Sequence, residues 1–186
     1  SIYSCGNIIK WLRDKMKFFE NSEDSEDFLR KDGNSNNVLF LPAFNGLGAP
    51  YWNSEIRGGF YGITQDTSIE DMTTAAFQSV AFQTKDITNI LSLYDIKIQK
   101  LLVDGGMVSN KTFCQVLADT LQIEIVKPKN VESTAIGACK VAMLSSGMSI
   151  ENFSKNEIPY KVNKDRRDVY FRNYSKWQEY LLNTIK

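Results

Sequence analysis

Histidine is absent from the 186 residues. That removes a Ser-His-Asp or Cys-His catalytic unit from within the chain and argues against a zinc site. Cysteine is scarce. Cys5, Cys114 and Cys139 are odd in number, widely spaced and form no metal motif, a pattern of reduced, buried thiols in a cytoplasmic protein. No excess of either charge exists, with 22 basic and 22 acidic residues. A broad basic field for gripping nucleic acid or an anionic membrane is therefore missing. No apolar run reaches membrane length and no signal-peptide pattern is present, so neither nucleic acid nor membrane is expected as a partner. The first residue is Ser1 rather than Met, as in a fragment or a processed chain.

What is present is an alternation of strand and helix patterns. Apolar residues make up 42 %, enough for one domain with a core, or part of a larger one. Ile8, Ile9, Leu12, Met16 and Phe19 recur at helical spacing and predict a helix over residues 5–20. The polar, acidic run "NSEDSEDFLRKDGNSNN" follows. It reads as a solvated loop holding a short helix over about 25–31, capped by Ser22 or Ser25. Strands are predicted at 38–41 and 58–63. Between them "AFNGLGAPYW" reads either as a shaped cleft loop or as a structural loop with Tyr51 and Trp52 as apolar anchors. Ser68 with Asp71 forms a capping-box pattern at the start of a long helix, whose stretch 78–86 is expected to face core on one side and solvent on the other. Strands at 100–103 and 123–126 flank a helix at 110–121. A helix at 133–146 carries small residues at Ala135, Gly137, Ala138 and Ala142, which suit close packing. A polar segment around 156–163 leads to a terminal helix at about 166–185. Its Val169, Tyr170, Tyr174 and Trp177 are expected to pack on the domain. The sum is α/β architecture, a mixed sheet flanked by helices.

The stretch "LLVDGGMVSN" joins a strand to a helix through Gly105 and Gly106. Without Cβ atoms these residues let a ligand approach the main chain, and a helix start offers unpaired N–H groups to phosphate. No lysine stands where a P-loop needs one, and Asn110 and Lys111 occupy the place of a third dinucleotide-binding glycine. Tight geometry alone also explains two glycines at such a turn. Asp104 has two readings, a ligand for a metal-bound phosphate or water, and a cap that accepts backbone hydrogen bonds; the second fits it better. Asn110 likewise reads as an N-cap or as a partner for an adenine or ribose edge. Arg57 reads as a partner for a phosphate or inter-domain carboxylate, or as half of an ordinary ion pair.

Several colinear stretches together resemble one family. "GNIIKWLRDKMKFF", "FLPAFNGLGAPYW", "RGGFYGIT", "FQSVAFQTKDI", "LLVDGGMVSN" and "ESTAIGACKVAML" are similar to the C-terminal half of the FGGY carbohydrate kinases. The family's second signature fits Gly58, Phe60, Gly62 and Ile63, then Asp71, Met72, Ala75, Ala76, Phe77 and Gln78. The Gly-Leu-Gly-Ala-Pro-Tyr-Trp run is typical of the glycerol kinase branch rather than the pentose branches.

The resemblance implies the actin-like, ribonuclease-H-like ATPase fold and a C-terminal, nucleotide-binding domain over residues 1–186. It implies ATP with Mg²⁺ as cofactors, glycerol and ATP or ADP as ligands, and a homo-oligomer for the full-length enzyme. Gly6, Gly106 and Asn110 match the family's nucleotide-contacting positions. Lys10 stands where bacterial members carry glutamine, and either a phosphate or solvent is open to it. The implied reaction is in-line transfer of the γ-phosphoryl group to glycerol, giving glycerol 3-phosphate. No residue here matches the family's aspartate base, which lies N-terminal to this stretch, so neither Asp104 nor Asp86 takes that role and no catalytic residue is assigned. The isolated chain is expected to be inactive. The alternatives are another FGGY sugar kinase, or a non-catalytic nucleotide-binding or interaction module.

Overall fold

The computed structural model describes residues 5–129, 133–149 and 157–185. Helix α1 (Cys5–Asp14) leads through the acidic run, where Glu23–Glu26 form a 3₁₀ turn, to β1 (Leu39–Leu41) and β2 (Gly59–Tyr61). Helix α2 (Ile69–Leu93), β3 (Lys100–Leu102), α3 (Lys111–Leu121), β4 (Glu124–Pro128), α4 (Ser133–Ser145), β5 (Glu157–Tyr160) and α5 (Arg167–Ile185) follow. Strands β1 and β2 form an antiparallel ribbon, whereas β4 runs parallel to β3 and antiparallel to β5. The mixed sheet is thus the three-stranded one, with the ribbon separate from it.

Helix α2 is the centre of the molecule. Ser68 and Asp71 make the reciprocal capping box that their spacing predicts, and Asp71 is also paired with Arg30 and Asn36. Burial then runs unbroken from Thr73 to Gln83, which overturns the expectation of a solvent-facing side. The partners are α3, β1 and α5. Several inward polar groups are satisfied by distant neighbours, though the buried Thr73 hydroxyl has no partner among the described residues. Gln78 donates to the Gly33 carbonyl at 2.7 Å. The Asp86 carboxylate accepts from Tyr51 at 2.6 Å, Tyr174 at 2.5 Å and Gln178 at 2.9 Å. Burial nonetheless pushes the Asp86 carboxyl above the usual carboxylate range.

Several sequence expectations are corrected. Helix α1 stops at Asp14, because Lys15 and Met16 both donate to the Trp11 carbonyl and Lys17 turns to a left-handed φ of 58°. Met16 is consequently exposed, while Phe19 folds back into the core. Neither Ser22 nor Ser25 caps a helix over 25–31; Ser22 accepts from Arg13 and Ser25 donates to the Ser22 carbonyl. Strand β5 went unpredicted, its Pro159 being tolerated on an outer strand whose only partner is β4.

Trp52 is no buried anchor, being 68 % exposed, whereas Tyr51 is half-buried against Asp86. Arg57 donates to the carbonyls of Ser54 and Ile56, so it ties its own loop rather than a carboxylate. Helix α4 does not pack closely: none of its described side chains is buried, and Val141 and Leu144 are exposed. Helix α5 packs as its aromatics suggest, with Tyr170, Tyr174 and Trp177 buried and the Trp177 indole donating to the Phe40 carbonyl at 2.8 Å; Val169 is half-buried.

Removing the Asp86 carboxylate takes the acceptor from the hydroxyls of buried Tyr174 and half-buried Tyr51 and one partner from the Gln178 amide. Asp86→Ala is expected to cost about 2–4 kcal/mol of stability, and Tyr51→Phe, which leaves the other two donors in place, about 1 kcal/mol. Urea unfolding of both variants beside the wild type measures the difference.

Candidate functional site

Three segments distant in sequence enclose a cavity of about 720 Å³, a size suited to a small-molecule ligand. On α1, Gly6 and Lys10 are four residues apart and so share the face that lines it, with Ile9 between them. The loop after β3 supplies Asp104, Gly105, Gly106, Met107, Ser109 and Asn110. The acidic turn contributes Ser22, Glu23, Ser25 and Glu26, and Phe77 of α2 also borders the space. All four residues singled out from the sequence, Gly6, Lys10, Gly106 and Asn110, therefore line one cavity.

The glycines leave the backbone bare. Gly105 has φ 102° and ψ 174°, a conformation that side chains oppose. A Cβ added to Gly6, Gly105 or Gly106 would meet no atom within 4 Å. Nothing in the protein forces glycine at 6 or 106 by contact, and the space above them is open.

The pair does not sit at an α-helix N-terminus, as the sequence suggested. A 3₁₀ turn (Gly106–Ser109) intervenes, and α3 begins only at Lys111. Two side chains cap the start of helix α3. Asn110 Oδ1 accepts from the Phe113 N–H at 2.9 Å, and Glu26 Oε1 accepts from both the N–H and the hydroxyl of Thr112 at 3.2 Å. A carboxylate thus already sits at the positive end of the helix and offsets its attraction for phosphate. The Asn110 amide nitrogen approaches Ser25 Oγ at 3.4 Å. In the structure this residue serves as N-cap and as clasp for the acidic turn. Among the described residues the N–H groups of Gly106 and Met107 on this wall have no partner; they precede the turn's first bond, from Val108 N–H to the Gly105 carbonyl at 3.2 Å.

Asp104 is exposed, and among the described residues its carboxylate accepts no hydrogen bond; the turn-cap reading is not what the structure shows. Lys10 is exposed and its ammonium makes no hydrogen bond to a described residue. The cavity rim carries three carboxylates, Glu23, Glu26 and Asp104, against the one ammonium of Lys10. Carboxylates and bare amides suit a ligand with hydroxyl and amino groups at one end; the ammonium suits an anionic group.

Behind the turn sit residues that the sequence did not single out. Lys127 of β4 is 6 % exposed, and its Nζ donates to the carbonyls of Val108 at 2.8 Å and Ser109 at 3.4 Å. The Cys114 thiol donates to the same Val108 carbonyl, and burial pushes its pKa up to about 11, so it stays protonated and inert at neutral pH. All three cysteines are free, but only Cys114 is buried; Cys5 is half-buried and Cys139 exposed, against the expectation for all three. Among the described residues no three His, Cys, Asp or Glu side chains gather as a metal site, and no helix is long and apolar enough to cross a membrane.

Comparison with known proteins adds the following. Residues 1–146 match the model of the FGGY family of carbohydrate kinases, C-terminal domain. A glycerol kinase of Streptococcus pneumoniae (strain Hungary19A-6) is 39 % identical over 184 residues, 95 % of this chain and 37 % of that protein. The chain thus spans little more than a third of the length of the curated relatives it matches. The crystal structure of Plasmodium falciparum glycerol kinase with ADP superposes with a TM-score of 0.80 at 30 % identity, covering 100 % of this chain and 38 % of that one. Gluconate kinase from Lactobacillus acidophilus gives a TM-score of 0.81 at 22 % identity over 99 % of this chain and 39 % of its own.

Glu26 is the side chain that ties the acidic turn to α3. Glu26→Ala removes the acceptor of the Thr112 N–H and the charge at the helix end, and should cost about 1–2 kcal/mol in urea unfolding, with Glu26→Gln recovering part of it.

Proposed function

The chain belongs to the FGGY family of carbohydrate kinases, and on that premise we propose that it is the nucleotide-binding domain of an ATP-dependent kinase that phosphorylates glycerol to glycerol 3-phosphate. Its fold is the actin-like, ribonuclease-H-like ATPase fold of its sugar kinase neighbours. The domain runs over residues 1–186, past the family match and through α5, in keeping with the 184 residues aligned to the pneumococcal relative. The observation that carries the reading is the bare-backbone wall at Gly105 and Gly106, facing Gly6 and Lys10 across a ligand-sized cavity.

In this reading the nucleoside lies against Gly106 and the segment that Asn110 anchors. Flat contact with main chain needs room rather than a lysine, and the rim carboxylates accept from hydroxyl or amino groups. The ATP phosphates lie between the edge of that turn and Gly6 and Lys10, whose ammonium has no competing partner among the described residues. Mg²⁺ is bound by ATP kinases through phosphate oxygens, water and one or two carboxylates rather than by an all-protein cage. The donor set here fits that pattern: Asp104 is a carboxylate at the cavity with no hydrogen bond to satisfy, and would hold the ion there, where it neutralises phosphate charge.

The base that takes the glycerol hydroxyl proton, and most of the glycerol site, are supplied by residues outside this chain, which therefore turns over nothing alone. Glycerol is favoured over gluconate or xylulose because the named glycerol kinases are the closer in sequence, at 39 % and 30 % identity against 23 % or less. Free thiols fit a reducing compartment, the cytoplasm. The exposed apolar side chains of α4 offer a surface to an oligomer of the whole enzyme.

Titration of the chain with ADP, followed by amide NMR, is expected to shift the resonances of Gly106 and Asn110 together. Gly106→Val, which fills open space, should abolish those shifts while moving Tm by no more than about 2–4 °C. The reading fails if ADP perturbs a different face or if the valine variant binds as well as wild type. A coupled assay of ADP release should show no glycerol-dependent turnover by the 186 residues; robust turnover would contradict the placement of the base.

A further inference from the structure

We propose that Lys127 is a positioning residue that lends its positive charge to bound nucleotide phosphates from behind the Gly106–Ser109 turn. The proposal rests on the nucleotide reading of the cavity. Lys127 is 6 % exposed and has no carboxylate within ion-pair distance among the described residues; its hydrogen-bond partners there are two backbone carbonyls. Burying an ammonium without an anion is unfavourable unless other groups offset it. Here the offset is partial. The carbonyls of Val108 and Ser109 satisfy hydrogen bonds but carry no net charge. Glu26, whose charge and that of Lys127 both bear on Cys114, is committed to Thr112.

The Lys127 ammonium lies behind the cavity wall, since it bonds the carbonyls of Val108 and Ser109, Ser109 itself lines the cavity, and Met107 and Asn110 flank the bonded segment. Low-dielectric surroundings let a charge act over such a distance with little screening. The rim makes this useful. Its side chains are acidic on balance, a poor setting for a nucleoside polyphosphate. A buried cation reached through the turn counters that field without a side chain entering the space the glycines keep open. Lys127 adds to the ammonium of Lys10 from behind the wall, where it occupies none of the cavity.

A strut and a charge predict different things, and comparing adenosine with ADP separates them. Affinities for both ligands are measured by titration calorimetry on the wild type, Lys127→Met and Lys127→Arg. Lys127→Met should lose about tenfold in ADP affinity and no more than about twofold in adenosine affinity, and Lys127→Arg should keep both within about threefold. Equal losses for adenosine and ADP in Lys127→Met would make Lys127 a strut and overturn the proposal, as would no loss at all. If the methionine variant does not fold, the wild type decides. The side-chain Nζ and Cε resonances of Lys127 should shift on adding ADP and stay put with adenosine; a resonance unmoved by ADP overturns the proposal. Failure of the wild type to bind ADP defeats the nucleotide reading itself, a result distinct from any of these.

Discussion

Everything in this domain is arranged around a helix whose middle has no face left for water. An amphipathic surface helix can leave its polar residues in solvent, but α2 is buried on all sides from Thr73 to Gln83 and again at Asp86 and Thr88. Each polar group on it must find a protein partner or impose a desolvation cost. Those partners are the long-range ties of the fold. Asp71 holds Asn36 and Arg30, Gln78 holds the Gly33 carbonyl, and Asp86 holds the loop through Tyr51 and α5 through Tyr174 and Gln178. Asn173 closes the middle of this set by donating to both Gly33 and Gln78. Gly33 itself has φ 74°, and a Cβ there would come within 2.6 Å of the Tyr170 ring. The segment after the acidic turn is therefore fixed by backbone conformation, by α2 and by α5 at once.

That fixing is what makes a cavity possible. The acidic turn has little apolar surface of its own, yet it must hold still to form a wall. It is held at one end by Leu29 and Arg30, the latter donating its N–H to Thr74 of α2, and at the other by Ser25 and Glu26 on the start of α3. Helix α3 in turn packs on α2 through Phe113 against Phe77, the residue that borders the cavity. Three walls from three parts of the chain thus share one support.

Much of this was legible in the sequence, and the limits have physical causes. The capping box at Ser68 and Asp71, the aromatic stripe of α5 and the Gly-Gly turn are local patterns, and local patterns survive into the structure. Glu26 could not be read this way: its partner Thr112 lies 86 residues away, and an acid in an acidic run carries no local signal of burial. Lys127 follows an apolar strand and reads as the first polar residue after it, although it remains buried because its side chain folds under the turn. Small residues on α4 suggested a close neighbour that the described residues do not supply. Composition sets the radius a helix can approach to; it does not state what approaches.

The disposition of donors settles how the candidate site can recognise a charged ligand. A helix N-terminus attracts phosphate because its N–H groups are unpaired. In α3 two of those groups are taken by Asn110 and by Glu26, whose carboxylate opposes the end charge. Attraction for an anion must then come from elsewhere: Lys10 across the cavity, the two free N–H groups of the 3₁₀ turn, and the buried ammonium of Lys127 beneath it. Spreading the charge this way leaves the face of the turn uncharged and flat. A ligand with a neutral planar end and an anionic tail fits that division, because the end meets bare backbone while the tail meets cations on both sides. A small inorganic anion would gain only the second half of the interaction, and a neutral sugar only the first.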